Sequence, residues 1–133
     1  MSTTVHSATA YCLPALLYSW ESWSLRYELK PITVAWNNTF RKIFNCCWRE
    51  NTRLLLYYCN SLPLAYLIDK RRLFFLKRLY NSVNSLLNSL SAICCGNMTS
   101  LAAKCDIYSP LPSTPDFEIK LHVWKSFEKT AVN

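Results

Sequence analysis

Four basic residues near the middle of the chain have the spacing of a phosphate-binding helix face. When residues 63–81 are placed on a helical wheel of about 100° per residue, these four residues lie on the same half of the wheel. Ammonium and guanidinium groups bind phosphate oxygens without reading base sequence. We therefore predict a weak, sequence-nonspecific nucleic-acid-binding face made of Lys70, Arg71, Lys77 and Arg78.

Two apolar residues, Leu67 and Phe74, share the wheel half of these bases, and we predict that they supply supporting contacts. The opposite half of the wheel is apolar and includes Arg72, for which Asp69, three residues earlier, is the expected partner. The alternative interpretation is that the bases only solvate the outer face of a helix.

The residue types that usually carry catalysis are scarce and scattered. The single glycine, Gly96, excludes glycine-rich phosphate loops, dinucleotide-binding turns and the nucleophile elbow. The three aspartates are isolated in the sequence, whereas two-metal catalysis needs clustered carboxylates. The adjacent cysteines at 46–47 and 94–95 lack the two-residue gap of a zinc knuckle. We predict no catalytic residue, no metal site and no cofactor, and hence no enzymatic activity.

The apolar periods that must position the basic face are helical throughout. The predicted fold is all-α, an irregular assembly of five to six helices, with a disordered arm over residues 1–10 and one helical segment over residues 11–133. Gly96 is the expected C-terminal cap of the helix that begins near residue 83. The predicted helices cover residues 11–23, 31–47, 53–59, 63–81, 83–93 and 117–127.

Charge is concentrated in one part of the chain. The formal net charge is +7, and residues 26–78 hold eleven basic and three acidic residues, a local +8 that favours polyanionic partners. Pro14 and Glu21 interrupt the most apolar stretch, so we predict no transmembrane helix. No secretory signal is recognisable, and we expect an intracellular protein, nuclear or cytoplasmic, with reduced cysteines.

Aromatic and proline spacing resembles one protein family. Residues 13–23 read LPALLYSWESW and are similar to the LPxLLYGxExW segment downstream of the polymerase active site in non-LTR retrotransposon reverse transcriptases. Ser19 stands where that family usually has glycine. Residues 34–44, 48–50 and 62–73 resemble the helices that follow in those endonuclease-reverse transcriptases, and the resemblance spans residues 11–105.

The resemblance implies a thumb or post-thumb role, in which helices hold the template and primer backbone. The double-Asp polymerase motif, the fingers and the endonuclease domain are absent from this sequence. We therefore expect a truncated C-terminal segment of a reverse transcriptase that is inactive alone. We also expect it to self-associate through the apolar surface that polymerase domains would otherwise cover. Two alternatives stay open: a non-functional retroelement remnant, and a helical protein-interaction or membrane-surface module.

Overall fold

The computed structural model describes residues 3–18, 29–105, 107 and 113–132, with the backbone alone for residues 94–100. These residues form seven α-helices and one π-helical turn and contain no strand, which confirms the all-α prediction. Contacts divide the chain into two compact units, where the sequence predicts one segment. Unit 1 comprises Met1–Ile68 and Ala131–Asn133, and unit 2 comprises Asp69–Thr130. The boundary between Ile68 and Asp69 lies within a continuous helix.

The chain is helical from Thr3, in the stretch for which the sequence predicts a disordered arm. Helix α1 spans Thr3–Ser7 and contacts a later helix of unit 1, α3 (Leu29–Ile43). Val5 is fully buried and Ala8 is nearly so, three residues further along the same helical side. Burial of Val5 and Ala8 stabilises α1, because a helix of five residues is not stable through local propensity alone.

A π-helical turn, Ala8–Cys12, joins α1 to α2 (Leu13–Leu16). The backbone N–H of Leu13 donates to the carbonyl of Ala8, five residues earlier, which widens the helix at this point. Pro14 follows directly, and its ring would clash with the carbonyl four residues earlier in a regular α-helix. We attribute the wider turn to this proline. Residues 19–23, the end of the predicted helix 11–23, lie outside the described residues.

Helix α3 supplies the large aromatic side chains of unit 1. Trp36 and Phe40 are buried, with their rings edge to face at a centroid distance of 5.1 Å. Helix α4, Thr52–Tyr58, contacts α3 and buries Leu56. Its N-terminus is capped by Asn51, whose side chain accepts a hydrogen bond from the backbone N–H of Arg53 at 3.0 Å.

Asparagine, and not glycine, ends α3 and α4. Asn45 and Asn60 both have φ of 52°, the left-handed conformation that asparagine tolerates better than most residues. After α3, the N–H of Cys46 donates to the Arg41 carbonyl at 2.9 Å, and after α4 the same i to i−5 bond joins Ser61 to Leu56. Both helices therefore end in a Schellman motif, which satisfies their terminal carbonyls.

Three longer helices follow: α5, Leu64–Tyr80; α6, Ser85–Lys104; and α7, Asp116–Val132. The prediction that Gly96 caps α6 is wrong, because the helix continues through it to Lys104. Helical hydrogen bonding beyond a glycine outweighs the roughly 1 kcal/mol that glycine costs inside a helix. Among the described residues of unit 2, the buried apolar side chains are Leu73, Leu76, Ala102, Cys105, Ile107, Ile119, Val123 and Phe127.

Candidate nucleic-acid interface

Helix α5 carries the four predicted phosphate-binding residues, and its apolar half faces inward. Leu73 is fully buried and Leu76 is 9% exposed, so the opposite side of the helix is directed outward. The helix follows Pro63, whose carbonyl accepts the first-turn N–H of Leu67 at 3.1 Å, and it closes where Asn81 donates to the Lys77 carbonyl at 3.0 Å.

The basic residues of this outward side differ in exposure. Arg78 is exposed, Lys70 and Arg71 are half-buried, and Lys77 keeps only 17% of its side-chain surface. Of the two predicted supporting residues, Phe74 is half-buried, whereas Leu67 is 8% exposed and belongs to unit 1. Leu67 thus offers little surface to a ligand, while Phe74 lies beside the bases of unit 2.

Lys77 is held by the residues that precede and begin α7. Its Nζ atom donates to the Thr114 carbonyl and to Oδ1 of Asp116, each at 2.6 Å. The hydrogen bond from Lys77, with the charges of Lys77, Lys120 and Arg78, holds the pKa of the Asp116 carboxyl below its usual value. Lys77 therefore links α5 to α7 through a residue that is 39 positions away in the sequence.

A fifth cation, Lys120 of α7, joins the four on α5. Burial, followed by the charges of Lys120 and Arg71, lowers the pKa of the Lys70 ammonium. Sequence spacing could not reveal Lys120, because it lies outside the basic stretch of residues 26–78 and on another helix. Its only local signal is its position four residues after Asp116. We call Lys70, Arg71, Lys77, Arg78 and Lys120 the basic surface.

Asp69, for which the sequence predicts Arg72 as partner, is bonded across unit 2. Its Oδ2 atom accepts a hydrogen bond from Nζ of Lys104 at 2.6 Å. The Asp69 side chain is 10% exposed and that of Lys104 is 61% exposed, so the carboxylate lies inside and its partner reaches in from the surface. This contact joins the beginning of the unit 2 part of α5 to the last residue of α6.

No protein-family model, curated protein or solved structure matches this chain.

The thiols in the described part of the chain do not form a metal site. Cys12, Cys46, Cys47, Cys59 and Cys105 take part in no disulfide, and within that part no three His, Cys, Asp or Glu side chains are grouped to hold an ion. Burial raises the pKa of the Cys46 and Cys59 thiols, which disfavours the nucleophilic thiolate. The side chains of Cys94 and Cys95 lie outside the described residues.

Among the described helices, none has the length and apolar character needed to cross a bilayer.

Proposed function

We propose that this chain binds the phosphate backbone of nucleic acids through the basic surface of unit 2, with little preference for base sequence. It performs no catalysis by itself, and the purified chain is expected neither to extend a primer nor to nick DNA in the presence of magnesium. The resemblance of residues 11–105 supports an origin in the C-terminal part of a non-LTR retrotransposon reverse transcriptase.

The observation that carries this proposal is the unbalanced charge around Lys70. A half-buried ammonium beside Lys120 and Arg71 is unfavourable, because desolvation and like charge both oppose its charged form. The Asp116 carboxylate also lies beside the basic surface, and it is bonded to Lys77. A phosphate group placed here would reduce the repulsion and bond to several donors at once.

Structural ion-pair networks can also collect basic residues, but they pair each cation with a carboxylate. Lys77 and Lys104 follow that pattern, with Asp116 and Asp69 as their respective partners. Lys70 instead lies in the field of two further cations. This position favours an external anion as the partner of Lys70, and nucleic acid is a polyanion whose phosphates several neighbouring cations can contact.

The test is a salt titration of binding to a fluorescent duplex, followed by anisotropy. If four cations contact phosphates, log affinity should fall with log salt with a slope of about −3 to −4. Replacing Lys70, Arg71, Arg78 and Lys120 by glutamine removes these contacts and keeps helix propensity. The slope should then flatten by about three units, while circular dichroism shows unchanged helicity.

The matched control removes four exposed cations outside the basic surface: Lys42→Gln, Arg53→Gln, Lys125→Gln and Lys129→Gln. It changes the net charge by the same amount as the first variant, so general attraction to DNA falls equally in both. The control slope should stay within about one unit of the unmodified chain. Equal flattening in both variants would show that binding follows net charge alone and would contradict the proposed site.

A further inference from the structure

A cleft of about 380 Å³ opens in unit 2 and shares residues with the basic surface. Its volume lies within the range of small-ligand pockets. Phosphate contacts require only cations, yet this cleft also presents an aromatic ring, an amide and a carboxylate. These groups suit a flat, hydrogen-bonding ligand. The lining residues are Phe74, Lys77, Arg78, Asn81 and Asp116.

The walls of the cleft are held in position by the contacts already described. The Lys77 ammonium lies 2.6 Å from both the Thr114 carbonyl and Asp116 Oδ1, and so joins the α5 wall to the α7 wall. Phe74 is half-buried in the α5 wall and makes no ring-to-ring contact with the described aromatic residues. One wall of the cleft therefore includes an aromatic ring that contacts no other ring within the described ranges.

We propose that this cleft takes one unpaired nucleobase, which makes the basic surface selective for single-stranded nucleic acid. The inference rests on the proposed backbone binding and adds the substrate class. In the bound state, the base stacks on Phe74 while Arg78 and the nearby cations contact the flanking phosphates. A base within a duplex cannot enter, because its faces are stacked and its Watson–Crick edge is paired.

The carboxylate in the cleft sets a preference among bases. An ionised carboxylate only accepts hydrogen bonds, so Asp116 favours a base that presents adjacent N–H donors. Guanine offers two such donors side by side on its Watson–Crick edge, whereas adenine offers one amino group beside an acceptor. The Asp116 side chain is 65% exposed, and each carboxylate oxygen has two lone pairs, so both oxygens can accept from such a base while Oδ1 is bonded to Lys77. Guanine is thus the expected preferred base.

The first experiment compares a 12-nucleotide single strand of mixed sequence with its duplex at one salt concentration. Backbone electrostatics alone favours the duplex, because the charge density and the counterion release per phosphate are both larger there. Base insertion reverses this order. Tighter binding of the single strand supports the inference, and tighter binding of the duplex overturns it while leaving backbone binding intact. Binding to neither form overturns both.

The second experiment changes the stacking wall. Phe74→Leu keeps an apolar side chain but removes the aromatic face, and it should weaken single-strand binding roughly five- to one-hundredfold. Duplex binding should change less than twofold. Phe75→Leu is the matched control, because Phe75 is exposed and lies one position along α5, outside the cleft lining. Equal effects of the two substitutions, or none from Phe74→Leu, would overturn the inference.

The third experiment tests the base preference with one dG or one dA at the centre of a dT strand. The unmodified chain should bind the dG strand at least fivefold more tightly, as expected for a bidentate contact. Asp116→Asn should abolish this difference. It should also strengthen duplex binding slightly, because a negative charge is removed from the basic surface. If Asp116 had only a structural role, Asp116→Asn would weaken binding of the single strand and of the duplex together. That result would contradict the base contact.

Discussion

Units 1 and 2 use their polar side chains differently. In unit 1, α3 buries Trp36 and Phe40, and Arg41 bonds locally, to Asn38 at 2.8 Å and to the Glu50 carbonyl at 3.2 Å. In unit 2, polar contacts join residues that are 35 and 39 positions apart. Basic residues on unit 2 therefore help to build the fold, and their position on a helix wheel does not by itself identify ligand contacts.

Lys77 and Lys70 show the consequence within one helix. Both lie on the predicted phosphate-binding face, but Lys77 is bonded to Thr114 and Asp116 whereas Lys70 lies in the field of other cations. A lysine bonded to its own fold stabilises that fold, while a lysine beside like charges destabilises it and gains a partner on binding. The two residues should thus respond differently to substitution.

The largest expected effect lies in unit 1 and should leave binding unchanged. Phe40→Ala empties a fully buried position beside Trp36 and should lower the free energy of unfolding by about 3–5 kcal/mol. Val34→Ala, on the same helix but 54% exposed, should change it by less than about 0.5 kcal/mol. Urea denaturation followed by circular dichroism measures both. Similar losses for the two variants would contradict the described core of unit 1.

A smaller effect of opposite sign is expected at Lys70. Lys70→Gln removes a half-buried ammonium from the field of Lys120 and Arg71, and should raise the free energy of unfolding by about 0.2–0.5 kcal/mol. The same change should weaken duplex binding and flatten its salt slope by about one unit. Urea denaturation and anisotropy are measured on one preparation. If Lys70→Gln destabilises the chain, Lys70 is a structural residue and the basic surface loses its central member.

The smallest effect is a pH dependence at the ion pair of Lys77 and Asp116. Because the Asp116 pKa is lowered in the folded state, its contribution to stability is present above its usual value of 3.8 and is lost as pH falls through the folded-state pKa. In Asp116→Asn this contribution is absent. The stability difference between the unmodified chain and the variant should therefore shrink from pH 7 to pH 3 in urea titrations. A constant difference would mean that the charge of Asp116 contributes nothing to the free energy of unfolding.

Local periodicity was sufficient for much of the fold. The helical periodicity of the apolar residues predicts α3, and the wheel of residues 63–81 predicts α5, because each helix buries one side and neighbours on that side are three or four positions apart. The identity of the outward-facing bases on α5 follows from the same rule. Helix ends were poorly predicted, since asparagines in the left-handed conformation close α3 and α4 while Gly96 lies inside α6.

The sequence by itself thus determined the all-α class, the main amphipathic helices and the position of four bases on one side of α5. Only the tertiary structure decided that Lys77 bonds to Asp116, that Lys120 approaches Lys70, and that Phe74 lines a cleft. The physical reason is distance. Helical periodicity specifies neighbours within about four positions, whereas electrostatic energies depend on separations that the packing of distant helices alone determines.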